Sequence, residues 1–195
     1  MNVVYRGLGI FCVIAFSAPV QAQSISLSLD PDRTQITFTL GAVLHTVDGT
    51  FKLKGGAIQF DSGTGQASGE VIVDATTGDT GNNGRDRKMH KSVLESAAYP
   101  EIVFVPERVR GPVSLSGKSQ VQVQGFVKLH GRQHEITIPA DIQVAGDQMA
   151  ATVHFAIPYV QWGLNDPSTF LLRVDKKVDI VIHAAGRLVL PSASH

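Results

Sequence analysis

His130 and His134, with Glu135 beside the second, are the residues of this chain whose types and spacing come nearest to a metal site. Two imidazoles at i and i+4 converge on one ion when the segment is a helix. Here they flank His130-Gly-Arg-Gln133, a turn between two stretches of alternating polarity. Across a hairpin turn that spacing does not bring the rings together, so surface or hairpin packing is expected and no metal ligand is assigned. Other chemical constellations are missing as well: the chain has no G-x-S-x-G elbow, no H-E-x-x-H, no phosphate loop and no dinucleotide fingerprint. The one cysteine, Cys12, lies in an N-terminal segment expected to be removed, which takes thiol chemistry away from the remainder. No catalytic residue and no cofactor is assigned, and the expectation is a binding protein, not an enzyme.

The remaining polar candidates suit contact with a ligand. His45 shares an alternating phase with Val43 and Val47. If that face points inward, a neutral imidazole stands in an apolar interior and can hydrogen-bond a bound molecule; the competing reading is a histidine satisfied by the next strand. Tyr159 and Trp162 stand at a strand end, where they either close an opening or grip the exposed end of a ligand. Arg85-Asp86 falls near the start of a helical stretch, where a carboxylate suits the helix macrodipole. A structural pair or cap competes there with ligand contact. His154 is out of phase with Val153 and Phe155 and is expected to face solvent.

These residues must be positioned by strands. Thr34 to Leu40 puts Ile36, Phe38 and Leu40 on one face, residues 121–129 do the same with Val121, Val123, Val127 and Leu129, and residues 151–157 with Val153, Phe155 and Ile157. Period-two alternation describes strands with one buried and one wet face. About eight such stretches, cut by Gly, Asp and Asn turns, predict an all-β, eight-stranded antiparallel barrel of a size that can enclose one apolar ligand. Residues 54–56 read as a turn, and Gly49 as a bulge within a strand over 42–53. Within residues 81–96 the period changes, and Met89, Val93 and Leu94 form the apolar stripe of one inserted helix. Phe38, Phe51, Phe60, Ile102, Phe104, Phe155 and Phe170 fall on apolar strand phases and are the candidate lumen lining. Whether they fill the interior or line a cavity is not decided by phase.

The first 22 residues differ from the rest. Arg6 precedes an apolar run from Leu8 to Val20, and Val20-Gln-Ala22 offers small residues at a cleavage site before Gln23. The run is short against the ~20 apolar residues of a membrane span. A signal peptide over 1–22 and one domain over 23–195 are expected, with the periplasm as destination and an extracellular fate as the alternative. Removal of Arg6 from 17 basic and 17 acidic residues leaves a formal charge of −1. No basic stripe for nucleic acid and no polybasic membrane patch stands out, and no integral membrane segment is expected after cleavage.

At this point the chain resembles the YceI-like family of bacterial periplasmic proteins over essentially the whole of residues 23–195. Leu29 to Phe38 is similar to the family's opening D-P-x-H/R-S/T-x-[VI]-x-F. Gly49-Thr-Phe51 with Gly56 to Asp61 resembles its G-x-F…G-x-I-x-F-D. Thr80 to Asp86 followed by Tyr99 to Phe104 is similar to its helix and Y-P-x-I-x-F strand, and Val123 to Gly131 to its V-x-G-x-L-T-I-H-G hairpin. Two departures are Gly41-Ala42 in place of a common Lys-His pair, and Gln161-Trp162-Gly163 in place of Asp-Phe-Gly. Both fall where a ligand could be touched, and bear on ligand identity more than on fold. The resemblance implies a lipocalin-like barrel that carries a long apolar lipid, an isoprenoid quinone or polyprenyl lipid, with His45, Tyr159 and Trp162 as candidate head-group contacts. It is compatible with a homodimer. The alternatives are a stress-related or surface interaction module with an incidental pocket, and an enzyme acting on a lipid head group.

Overall fold

The computed structural model describes residues 24–43, 45–169 and 173–189; the expected signal peptide, Cys12 and Phe170 lie outside the described residues. Nine strands follow one another as β1 (Ser24–Leu29), β2 (Gln35–Leu40), β3 (Val47–Asp61), β4 (Ala67–Asp79), β5 (Glu101–Arg110), β6 (Gly117–Leu129), β7 (Arg132–Ala145), β8 (Gln148–Ile157) and β9 (Val178–Val189). Neighbours pair antiparallel from β2 through β9, and β2 pairs in turn with β9, so the sheet closes on itself. Closure removes the exposed edges that an open sheet would offer to another chain.

β1 and β2 share one position in this closed sheet. β1 pairs with residues 57–61 of β3 and β2 with residues 47–51, while both also lie along β9. Asp30 to Arg33 breaks them apart. Pro31 cannot donate to a ladder, and the Asp30 carboxylate accepts from the Asp32 amide at 3.0 Å to hold a single 3-10 turn. The architecture is therefore a closed barrel of eight strand positions, as the alternation of apolar residues predicts.

The connections β2–β3, β4–β5, β6–β7 and β8–β9 gather at one end, here called upper. β6 and β7 meet there in a two-residue turn, His130 and Gly131, both with positive φ of 51° and 71°. That conformation matches the twist of the flanking strands. The β4–β5 connection carries helix α1 (Asn83–Lys88), which widens into a π turn at Met89–Val93. Asn82 caps it by accepting from the amides of Gly84 and Arg85 at 3.1 and 3.0 Å. His90 ties the far end down: its Nε2 is 2.8 Å from the Gly78 carbonyl, which can only accept, so Nε2 carries the proton and Nδ1 accepts from the Ser96 hydroxyl at 2.9 Å.

Three local expectations need correction. Residues 54–56 are not a turn but lie inside the continuous β3, with register shifts against β4 at Thr50/Lys52 and Leu53/Gly55. Gly49 is not itself the bulge; it pairs with Phe38, and a Cβ there would collide with the Phe38 ring. The strand phase assigned to Val43 and His45 is also absent, because β3 begins at Val47 and both residues are exposed. Among the described residues no helix is long and apolar enough to cross a membrane.

Candidate ligand-binding cavity

The inward phases of β8 and β9 show that the lumen is not filled. Ala151, Val153 and Phe155 of β8, and Ile182, Ala184 and Leu188 of β9, face the interior, yet each is only half-buried. Filled protein cores pack as densely as organic crystals. Side chains enclosed by strands stay partly uncovered only where they border open volume.

That volume has two lobes of about 250 Å³ each. Both touch Phe51, Ile102, Ile157 and Ile180, which form a waist between them. Among the described residues the lower lobe is lined by apolar side chains alone; Phe60, Phe104 and Phe155 contribute to its wall, and Val113 and Leu115 of the β5–β6 loop lie beneath it. The upper lobe has Phe38 and Leu129 in its wall and Met89, Val93 and Leu94 overhead, so the apolar stripe of the helical segment turns toward the cavity. Phe38 meets Phe51 in a tilted ring contact at 5.2 Å.

Polar groups border the upper lobe only: Thr80, Arg85, Lys88, His45 and the Tyr159 ring with its hydroxyl. Arg85 Nε donates to the Thr80 hydroxyl at 2.8 Å, and its Nη2 to the Thr80 carbonyl at 3.0 Å. Asp86 accepts from the amide and hydroxyl of the same Thr80. Burial opposes ionisation of Asp86, but the Thr80 hydrogen bonds and the charge of Arg85 outweigh it and hold the carboxyl below its usual range. Lys88 Nζ donates to the Pro167 carbonyl at 2.7 Å and straps α1 to the β8–β9 loop. Tyr159 is buried and donates to the Asp175 carbonyl at 2.8 Å; burial first, then the charges of Asp166 and Asp175, push its hydroxyl up to about 12.

Six of the seven residues expected in the lumen border it: Phe38 above, Phe51 and Ile102 at the waist, Phe60, Phe104 and Phe155 below. Phe170 lies outside the described residues. Of the three expected head-group contacts, His45 stands exposed at the rim of the upper lobe and Tyr159 is in its wall. Trp162 borders neither lobe and instead lies flat against His134. His130 and His134 do not converge: His130 Nε2 is 2.7 Å from Glu95 Oε2 and its ring packs on Tyr99, away from the Trp162 stack. Among the described residues no group of three or more His, Cys, Asp or Glu side chains could hold a metal ion. His154 is exposed, as its phase requires. Sequence reasoning missed Lys88 as a cavity-facing cation and left Arg85 between a structural pair and ligand contact. The only signal for Lys88 was its position within one turn of the Met89–Val93–Leu94 stripe.

No match is found among curated proteins. Among solved structures, the chain is similar to BcnA of Burkholderia cenocepacia, with 15% identity, 80% of this chain and 98% of that one covered, and a TM-score of 0.66. It is also similar to a polyisoprenoid binding domain from Saccharophagus degradans implicated in plant cell wall breakdown, with 15% identity, 83% and 97% covered, and a TM-score of 0.61. The Campylobacter jejuni YCEI protein aligns with 13% identity, 68% and 79% covered, and a TM-score of 0.56. At these identities the likeness is one of fold. The family model of the YceI-like domain matches residues 27–185, which spans nearly the entire barrel, and the chain belongs to that family.

Proposed function

We propose that this protein is a soluble periplasmic carrier or store for a long-chain isoprenoid lipid, a quinone or another polyprenyl lipid, held in the barrel lumen. The observation that carries this reading is the two-lobed open lumen, apolar throughout its lower part and polar only at one end. From Val178 to Leu188, both cavity-lining, β9 runs ten residues, ~33 Å at ~3.3 Å per residue. Strand tilt shortens this along the barrel axis, but the length still suits an extended chain better than a compact ligand. Each CH₂ removed from water contributes ~0.8 kcal/mol, so a long tail needs no covalent anchor. One or two polar groups at the upper end suffice to orient its head.

In this reading Phe38, Phe51, Phe60, Ile102, Phe104 and Phe155 contact the chain, and His45 and Tyr159 stand near the head. The Saccharophagus degradans neighbour, a polyisoprenoid binding domain, supports the ligand class. The periplasmic assignment rests on the leader-like residues 1–22. Binding, not catalysis, is the activity assigned to the cavity. Organic extraction of protein purified from its native host, followed by mass spectrometry, tests the proposal. One polyprenyl lipid per chain is expected, and an extract with no lipid above background would overturn it.

A further inference from the structure

Among the described residues the upper lobe is lined by two cations and no carboxylate. Arg85 and Lys88 border it together with His45, and among the described residues no Asp or Glu belongs to its lining. The nearby acids act on these cations only through space, Asp86 on Arg85 and Asp166 on Lys88, and direct their hydrogen bonds elsewhere. Asp86 is occupied by Thr80, Asp166 accepts from the Ser168 amide at 2.9 Å, and the Asp175 carboxylate lies against Gly41. Both cations also keep donors in hand. Among the described residues Arg85 uses Nε and Nη2 on Thr80 and leaves Nη1 without a partner. Lys88 gives one of its three N–H groups to the Pro167 carbonyl. These contacts fix the two head groups in place without neutralising them.

A purely neutral ligand would leave the free donors of both cations at the mouth of an apolar chamber facing only solvent. An anion seated between them would gain charge-assisted hydrogen bonds in surroundings less screening than water. The tail would then run down through the waist at Phe51, Ile102, Ile157 and Ile180 into the lower lobe. We infer that the cavity selects lipids with an anionic head group, a phosphate or a carboxylate, seated between Arg85 and Lys88, over neutral quinones and alcohols of the same chain length. This rests on the lumen being the lipid site and adds the sign of the head group.

The test uses the full mature protein stripped of lipid and three probes: a tetraprenyl monophosphate, the matching tetraprenyl alcohol, and a long-chain fatty acid. Affinities are measured by displacement of a fluorescent apolar dye. The phosphate is expected to bind about tenfold more tightly than the alcohol, the worth of one charge-assisted hydrogen bond, with the gap narrowing as salt is raised. Lys88→Gln should remove most of the gap between phosphate and alcohol, and Lys88→Arg should retain it. Lys91→Gln, on an exposed side chain that does not border the cavity, should leave the gap intact. The fatty acid separates the two anions: binding tighter than the alcohol widens the class to carboxylates, and binding no tighter restricts it to phosphates. Because Lys88 is exposed, its variants are expected to fold, as circular dichroism would verify. Equal affinity for phosphate and alcohol would overturn the inference while leaving the lipid-carrier reading standing. Failure of both prenyl probes to displace the dye would overturn the two together.

Discussion

The imidazole of His134 lies flat against the indole of Trp162, with ring centroids 4.3 Å apart and planes 1° apart. The pair joins the upper end of β7 to the β8–β9 loop. His134 Nε2 is buried with no hydrogen-bond partner in the described structure. Burial, followed by the charge of Arg132, lowers the His134 pKa below its usual 6.5. A depressed native pKa means the unfolded chain binds the proton more readily. The stability linked to His134 is therefore fully present above pH 6.5 and is lost as pH falls toward the lowered native value. Melting temperature should decline over that window, and His134→Phe, which keeps a ring on Trp162, should flatten the decline. An identical pH profile for the variant would remove His134 as its cause.

Phe104 and Phe155 reach the lower lobe from β5 and β8. Phe104→Leu and Phe155→Leu keep the wall apolar while changing its shape. Each variant should fold, and at least one should retain less lipid or lipid of a different chain length. Mass spectrometry of the extracts reads this directly. Unchanged content and chain length in both would detach these residues from the ligand.

A charge in the lower lobe should act more severely. Phe60→Asp introduces a carboxylate where every lining residue is apolar. Water in the open lumen relieves part of the penalty, so the loss is set at about 2 kcal/mol in urea unfolding. Bound lipid should vanish. Retention of both stability and lipid would mean that this side chain does not face the cavity.

Chelation should have no effect. His130 is committed to Glu95 and His134 to Trp162. Treatment with EDTA should leave the melting temperature unchanged, and a fall of several degrees reversed by zinc would contradict the assignment of both histidines.

The barrel was legible because its long strands alternate cleanly. Ile36 and Phe38, Val121 and Leu129, and Val153 and Phe155 each kept the phase that their spacing indicates. Lys54-Gly-Gly56 misled because glycine pairs are the local mark of a turn, whereas long-range pairing of β3 with β1, β2 and β4 carries this segment straight through. His45 misled for a related reason. Its phase matched Val47, but β3 begins only at Val47, and Ala42 before it bridges to Val174 in the β8–β9 connection instead. The openness of the lumen was not legible at all. It depends on the summed volume of inward side chains around the closed sheet, including small ones such as Ala151 and Ala184, which no single segment reports. Lys88 reached the cavity through the docking of α1 over the barrel, a tertiary fact its exposed-looking run of charges conceals.

Ala184 on β9 pairs with Ala151 on β8, and both border the lower lobe. In a filled core, Ala184→Trp would overpack and destabilise. In an open lumen it occupies the space assigned to the lipid tail. Native mass spectrometry of the wild type and of this variant, purified side by side from the native host, tests that directly. The wild type should carry the added mass of one polyprenyl lipid, and the variant should remain folded and carry none. A wild type without bound lipid, or an Ala184→Trp protein that keeps its lipid at full stoichiometry, would contradict the account.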